Sequence, residues 1–150
     1  DRAFSQYNFV KNSDRTHATE NLSFNDALKQ ENERLRGETG DKFSYNYKHY
    51  SYLSKGLYYE QLVRWFKFFP RENFLILESL HFFQNPIETL EKVADFTGVK
   101  LAILGEDTFP VFNKNPHDTL EIEVREKLQE FYKPFNQKLY ELIECNYNWK

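Results

Sequence analysis

Asn73-Phe74-Leu75-Ile76-Leu77-Glu78 decides the fold class of this 150-residue chain. The apolar block is too short for a helix, and its continuous rather than alternating hydrophobicity reads as a strand buried on both faces of a parallel sheet. Such a strand needs neighbours on each side. No second run of this kind occurs among the 150 residues, so the expected partners fall upstream of residue 1.

Outward from that block the chain reads as helices. Before it, residues 54–69 form an amphipathic pattern with Leu57, Gln61, Leu62, Trp65 and Phe69 on related faces, stopped by Pro70. After it, Asn85-Pro86-Ile87-Glu88 places a cap, a first-turn proline and an acidic residue ahead of Leu90, Val93, Ala94 and Phe96, with Gly98 as the stop. Residues 99–117 form a long connection containing Pro110 and Pro116, the kind of segment that often carries function. Residues 119–132 and 134–144 are predicted as two consecutive helices, the second introduced by Pro134. Towards the start, residues 1–11 carry Phe4, Tyr7 and Val10 at helical spacing, and the polar residues 12–21 read as a loop. Ser23 and Asp26 form a helix-start arrangement for a stripe of Phe24, Ala27, Leu28 and Leu35, with Gly37 and Gly40 beyond it. Residues 41–53 interleave aromatics with Lys42, Lys48 and His49 without a period.

Composition supports a folded core: 40% of residues are hydrophobic and 18% aromatic, with 15 Phe and 10 Tyr against no Met. A net charge of −3 provides no basic field, so duplex nucleic acid is not an expected partner. The single cysteine, Cys145, excludes an intramolecular disulfide and a cysteine-built zinc site. With no apolar run of membrane-spanning length and no leader pattern at residue 1, the chain is expected to be soluble and cytoplasmic, without a membrane partner. Asp1 opens directly into a helical pattern with no initiator Met, which predicts a sequence cut from something longer.

Four segments, in order, resemble the PAPS-dependent sulfotransferase domain, particularly the branch of heparan sulfate sulfotransferases and their bacterial relatives. Asp1-Arg2-Ala3-Phe4-Ser5-Gln6-Tyr7 is close to the family's D-R-A-Y-S-x-Y helix, and the stretch from Gly56 through Tyr58, Tyr59 and Gln61 to Trp65 resembles its G-x-Y-x-x-H/Q-L-x-x-W helix. Pro70 to Phe83 resembles its strand and following turn, and Leu128 to Leu142 its terminal L-x-x-F-Y-x-P-x-N-x-x-L-x-x-L pattern. The resemblance implies an α/β, P-loop NTPase-like sulfotransferase fold. Residues 1–150 would be a helix-rich C-terminal portion of one such domain, with few parallel strands and without the first strand and 5′-phosphosulfate loop.

It further implies transfer of a sulfuryl group from PAPS to a hydroxyl or amine of a small-molecule or carbohydrate acceptor, with PAP as product and no metal. Ser5 matches the serine that binds the 3′-phosphate, where the rival reading is a hydroxyl bonded back to its own turn. Tyr58 and Tyr59 fall where the family places aromatics beside the adenine; packing within the fold is the alternative. Phe112 and Lys114 lie where the family closes a loop over the nucleotide, although the usual glycine is missing there. The family's catalytic base belongs to a region upstream, so none of His17, His49, His81 and His117 is cast as the base, and His49 is at most a lining residue of the acceptor cleft. Three rivals stand beside this reading. One is a catalytically incomplete nucleotide-binding fragment, another a helical protein-interaction module, and the third a P-loop kinase or nucleotidase, which would need a Walker lysine that the chain does not show. The acceptor and the oligomeric state are not legible.

Overall fold

A computed structural model of the chain describes residues 1–12, 18–36, 44–100, 109, 119–147 and 149. They form two compact units, one of residues 1–62 and 117–150 and the other of residues 63–116. The described part is helical, with no strand among the described residues.

In the first unit, α1 (Arg2–Asn12) buries Ala3, Tyr7 and Val10, one face at helical spacing. Ser23 caps α2 (Phe24–Leu35), its hydroxyl accepting the Asp26 N–H at 3.2 Å, and this helix buries Phe24, Ala27 and Glu31. A short α3 (Tyr45–Tyr50) lies inside the aromatic stretch that has no sequence period; it exists because Ser44 caps it through the Tyr47 N–H. A 3-10 turn at Ser54–Gly56 leads into α4 (Tyr58–Trp65). The unit closes with α7 (Ile122–Ile143). Its core gathers Ala3, Tyr7, Phe24, Ala27, Tyr52, Leu120, Val124 and Leu128, with the Tyr7 ring 5.1 Å from Phe24 and 6.0 Å from Tyr52. Burying this many large side chains is the main driving force of the unit.

One buried ion pair ties the segment after α1 to this core. The Glu20 side chain is fully buried and takes a bidentate contact from Arg34, the Tyr52 hydroxyl and the Leu22 N–H. Burial pushes its carboxyl up, but the hydrogen bonds from Arg34, Tyr52 and Leu22 outweigh burial and leave it below the ordinary value of 4.5.

Two expectations fail in this unit, for identifiable reasons. The predicted helix over 54–69 is broken at its start, where Leu57 leaves helical geometry (φ −83°, ψ 67°), and its regular part ends at Trp65. The two helices predicted around Pro134 are one: α7 runs through the proline. An interior proline costs roughly 3 kcal/mol; here Leu128 and Leu139, buried on either side of it, hold the helix continuous.

The second unit contains α5 (Ser79–Gln84) and α6 (Pro86–Thr97), which pack on one another. Gly98 ends α6 in the left-handed region at φ 70°, as its sequence position predicts. The rings of Phe66 and Phe69 close on Phe74, at 5.0 and 6.4 Å. The block that predicted a strand is extended at Phe74 (φ −120°, ψ 122°) and Glu78 (φ −84°, ψ 127°), yet it joins no ladder among the described residues. A strand is made by its neighbours, so an apolar extended run without them stays single, here with Leu75 and Leu77 exposed. No helix among the described residues is long and apolar enough to cross a membrane.

Candidate functional site

The segment that delivers α4 is set by one carboxylate. Glu31 on α2, 2% exposed, accepts the N–H groups of Tyr52, Leu53 and Ser54 at 3.0, 2.6 and 3.0 Å and the Ser54 hydroxyl at 2.7 Å. Three successive amides aimed at one anion hold the chain in a tight concave arc, which becomes the 3-10 turn. Next comes Gly56, over which lies the ring of Tyr132 from α7, its hydroxyl anchored to the Leu53 carbonyl at 2.9 Å. A Cβ at position 56 would meet the Tyr132 Oη at 2.6 Å and two ring carbons at 2.7 Å. Gly56→Ala is therefore expected to cost about 1–3 kcal/mol by overpacking. Adding Tyr132→Ala should then cost less than the sum of the two single changes. Urea unfolding of the four proteins in the cycle measures both, and strict additivity would remove the ring as the reason for the glycine.

Around this turn the structure gathers several of the residues singled out by sequence. Ser5, half-buried on α1, follows Arg2 by three positions, which puts both on one helical face. Its hydroxyl makes no hydrogen bond among the described residues, so the back-bonded alternative is not what the fold adopts. Helix α1 packs on the 3-10 turn, whose middle residue is Lys55. Burial first, then the Arg2 guanidinium, hold the Lys55 ammonium down to about 8; Glu31 acts in the opposite direction and Lys48 in the same one. Tyr58 lies within reach of the same charge: burial pushes its hydroxyl up and Arg2 opposes the shift. The Tyr58 ring sits 6.0 Å from Trp149, edge to face. Tyr59, the next residue on the helix, turns elsewhere, with the Lys138 ammonium of α7 5.9 Å from its ring centre.

Phe112 and Lys114 lie outside the described residues, as do His17 and His117. His49 is 8% exposed, with its ring 4.7 Å from Tyr45, a packed rather than a cleft-lining position. Two open clefts, of about 350 and 230 Å³, lie in the first unit, but neither includes Ser5, Tyr58 or Tyr59. The smaller one holds Asn8, whose Nδ2 is buried without a hydrogen-bond partner. Side-chain charge and donors mark the Ser5 region. Among the described residues no group of three or more His, Cys, Asp and Glu side chains is placed to hold a metal ion. Sequence reasoning passed over Lys55, Tyr132 and Glu31. Lys55 directly precedes the glycine of a matched segment and Tyr132 lies inside another, so position in the pattern was the available clue; nothing local marked Glu31.

Comparison with known proteins gives a consistent result. Residues 1–110 match the family described as sulfotransferase domain. That span covers three of the four segments quoted above and leaves out Leu128 to Leu142. The chain is 33% identical over 98 residues to membrane-associated sulfotransferase kil1 of Dictyostelium discoideum, an alignment covering 65% of the chain and 20% of that protein. It is 27% identical over 116 residues to heparan sulfate glucosamine 3-O-sulfotransferase 6 of Mus musculus, covering 63% and 34%. A third relative, the mouse heparan sulfate glucosamine 3-O-sulfotransferase 3B1, is 27% identical over 122 residues, covering 67% and 31%. The chain thus spans about a third or less of the length of these relatives.

Proposed function

The chain belongs to the sulfotransferase domain family, and from that premise we propose that it serves transfer of a sulfuryl group from PAPS to a hydroxyl or amine, releasing PAP. Residues 1–150 supply part of the 3′-phosphate and adenine side of the nucleotide site within one catalytic domain of the P-loop type. A carbohydrate acceptor is favoured because two of the relatives named above are called heparan sulfate sulfotransferases. A cytoplasmic setting belongs to the proposal as well, resting on the lone cysteine.

The observation that carries this reading is the free hydroxyl of Ser5 on the same helical face as Arg2, packed against the turn that bears Lys55. Neither cation has a carboxylate partner among the described residues. A hydroxyl donor beside unneutralised cations fits a phosphate monoester, and a partly buried phenol ring at Tyr58 suits the face of a purine. When bound, PAPS supplies the activated sulfuryl group, transferred by in-line attack of the acceptor with the bond to the 5′-phosphate breaking. The work of these residues is to hold and orient the nucleotide: Ser5 donates to phosphate oxygen, and Tyr58 limits how the base sits. None of them is assigned the removal of the acceptor proton.

Calorimetric titration of PAP into the full-length natural protein tests the reading. Binding on the order of micromolar is expected, weakened about tenfold by Ser5→Ala, the worth of one charge-assisted hydrogen bond. A folded protein that takes up no PAP would overturn it. The interaction-module alternative then gains ground, since the second unit exposes Phe68, Leu80, Phe83 and Val99, each by more than half.

A further inference from the structure

The larger of the two clefts, of about 350 Å³, is lined by residues of α2 and α7 within the first unit. Its apolar wall is made by Leu28 of α2, by Leu53 from the segment ahead of the 3-10 turn, and by Val124, Leu128 and Phe131 of α7. Positions 124, 128 and 131 share one face of α7 at helical spacing. The stripe that buries Val124 and Leu128 in the core thus continues outward to Phe131, which is 39% exposed.

Lys29 and Lys127 complete the charged part of the lining, one from each helix, and no Asp or Glu lines the cleft among the described residues. Lys29 reaches Asp26 at 3.1 Å along its own helix, an exposed pair that holds little energy because both groups stay hydrated. Lys127 makes no ion pair or hydrogen bond among the described residues. In a chain of net charge −3, two cations bordering an apolar hollow without a carboxylate are a local reversal of sign, and they favour an anion there. The wall favours apolar surface for a different reason, the gain from removing that surface from water. One molecule meets both demands if it carries a negative head on an apolar chain.

Size selects among such molecules. An α-helix about 10 Å across fills 350 Å³ in less than one turn, so the cleft is too small to seat a partner helix. It lies instead at the lower end of the range for small-molecule sites, roughly 300–1,000 Å³. We infer that this cleft is a binding site for a medium-chain aliphatic carboxylate of about eight carbons, its chain on Leu28, Leu53 and Phe131 and its carboxylate met by Lys127 and Lys29. Ser5, Lys55 and Tyr58 do not line the cleft, so the site is separate from the nucleotide residues and does not depend on the sulfotransferase reading.

Calorimetric titration of octanoate and of 1-octanol into the full-length natural protein tests the inference, with thermal unfolding recorded alongside. One octanoate per chain is expected, with a dissociation constant on the order of 100 micromolar. Lys127→Gln should weaken octanoate about tenfold and 1-octanol less than about twofold, because only the carboxylate uses the charge. Phe131→Ala should weaken both ligands by about three- to tenfold. Both positions are exposed, and should Lys127→Gln nevertheless lower the unfolding midpoint, Lys29→Gln carries the same comparison. Equal weakening of the two ligands by the lysine variant, or no effect of Phe131→Ala on either, overturns the inference. Displacement of octanoate by PAP overturns it too, since the acid would then sit in the nucleotide site. A folded protein that takes up no octanoate likewise rejects it. If that protein also self-associates in sedimentation and Phe131→Ala abolishes the association, the cleft is an interface between copies of the chain instead.

Discussion

Replacing Glu31 by alanine is expected to lower the stability of the folded protein by about 3–5 kcal/mol, the cost typical of breaking a buried charged contact. The carboxylate is 2% exposed and receives three main-chain amides and a hydroxyl. Removing it leaves four donors facing a dry cavity, each costing about 1–3 kcal/mol if nothing replaces the acceptor; water entering the space returns part of this. Glu31→Gln should fall between the two, because one amide oxygen still accepts while the new NH₂ group confronts donors. Equilibrium urea unfolding reports the difference through the midpoint at constant slope. A midpoint for Glu31→Ala indistinguishable from that of the unsubstituted protein would reject the clamp. Because the clamp shapes the turn that carries Lys55 and Gly56, the variants that do fold should also bind nucleotide less well.

Arg34→Met should cost about 3 kcal/mol near neutral pH, with a dependence on acidity that identifies its cause. The change strands Glu20, whose side chain is wholly buried, with only the Tyr52 hydroxyl and the Leu22 N–H. In the unsubstituted protein the Glu20 carboxyl titrates below its ordinary 4.5. Its contribution is thus present above that value and is lost as pH falls through the depressed one. Without Arg34 the carboxyl loses one hydrogen-bonding and charged partner that holds it down and titrates higher than in the unsubstituted protein, so that protonation costs the variant less stability. The gap between the two proteins should then narrow as pH falls below about 5. A constant gap from pH 7 to pH 4 would mean that lost packing of the Arg34 stem, including its stacking 4.6 Å over Tyr50, explains the defect instead.

Helices whose boundaries depend on local chemistry were legible in the sequence. Ser23 announces α2, Asn85-Pro86 and Gly98 bracket α6, and the spacing of Phe4, Tyr7 and Val10 marks the face of α1 that packs on the core, where Tyr7 and Val10 are buried and Phe4 partly so. Features fixed by distant residues were not. The chain entering the 3-10 turn at Ser54–Gly56, ahead of the break at Leu57, is held by Glu31, more than twenty residues away, and no window around the turn contains it. Pro134 ordinarily starts or stops a helix, and only the burial of Leu128 and Leu139 reveals why α7 continues through it. The aromatic stretch hid α3 because Ser44, rather than any period of apolar residues, creates the helix. At the candidate site, Ser5 and Tyr58 came from resemblance to a family pattern. The setting of Lys55 depends on α1, α2 and α3 meeting, which spacing along one element does not encode.

The extended run Phe74 to Leu77 has a further consequence for handling the protein. Its main-chain donors and acceptors form no ladder among the described residues, and Leu75 and Leu77 point outward. Left without neighbouring strands, such a segment would be a template on which an identical segment of another molecule can assemble, the geometry that seeds aggregation. The sequence brackets it with Arg71 and Glu72 on one side and Glu78 on the other. These charges act as gatekeepers: stacking copies in register would bring like charges together at each end, and that repulsion opposes fibril growth.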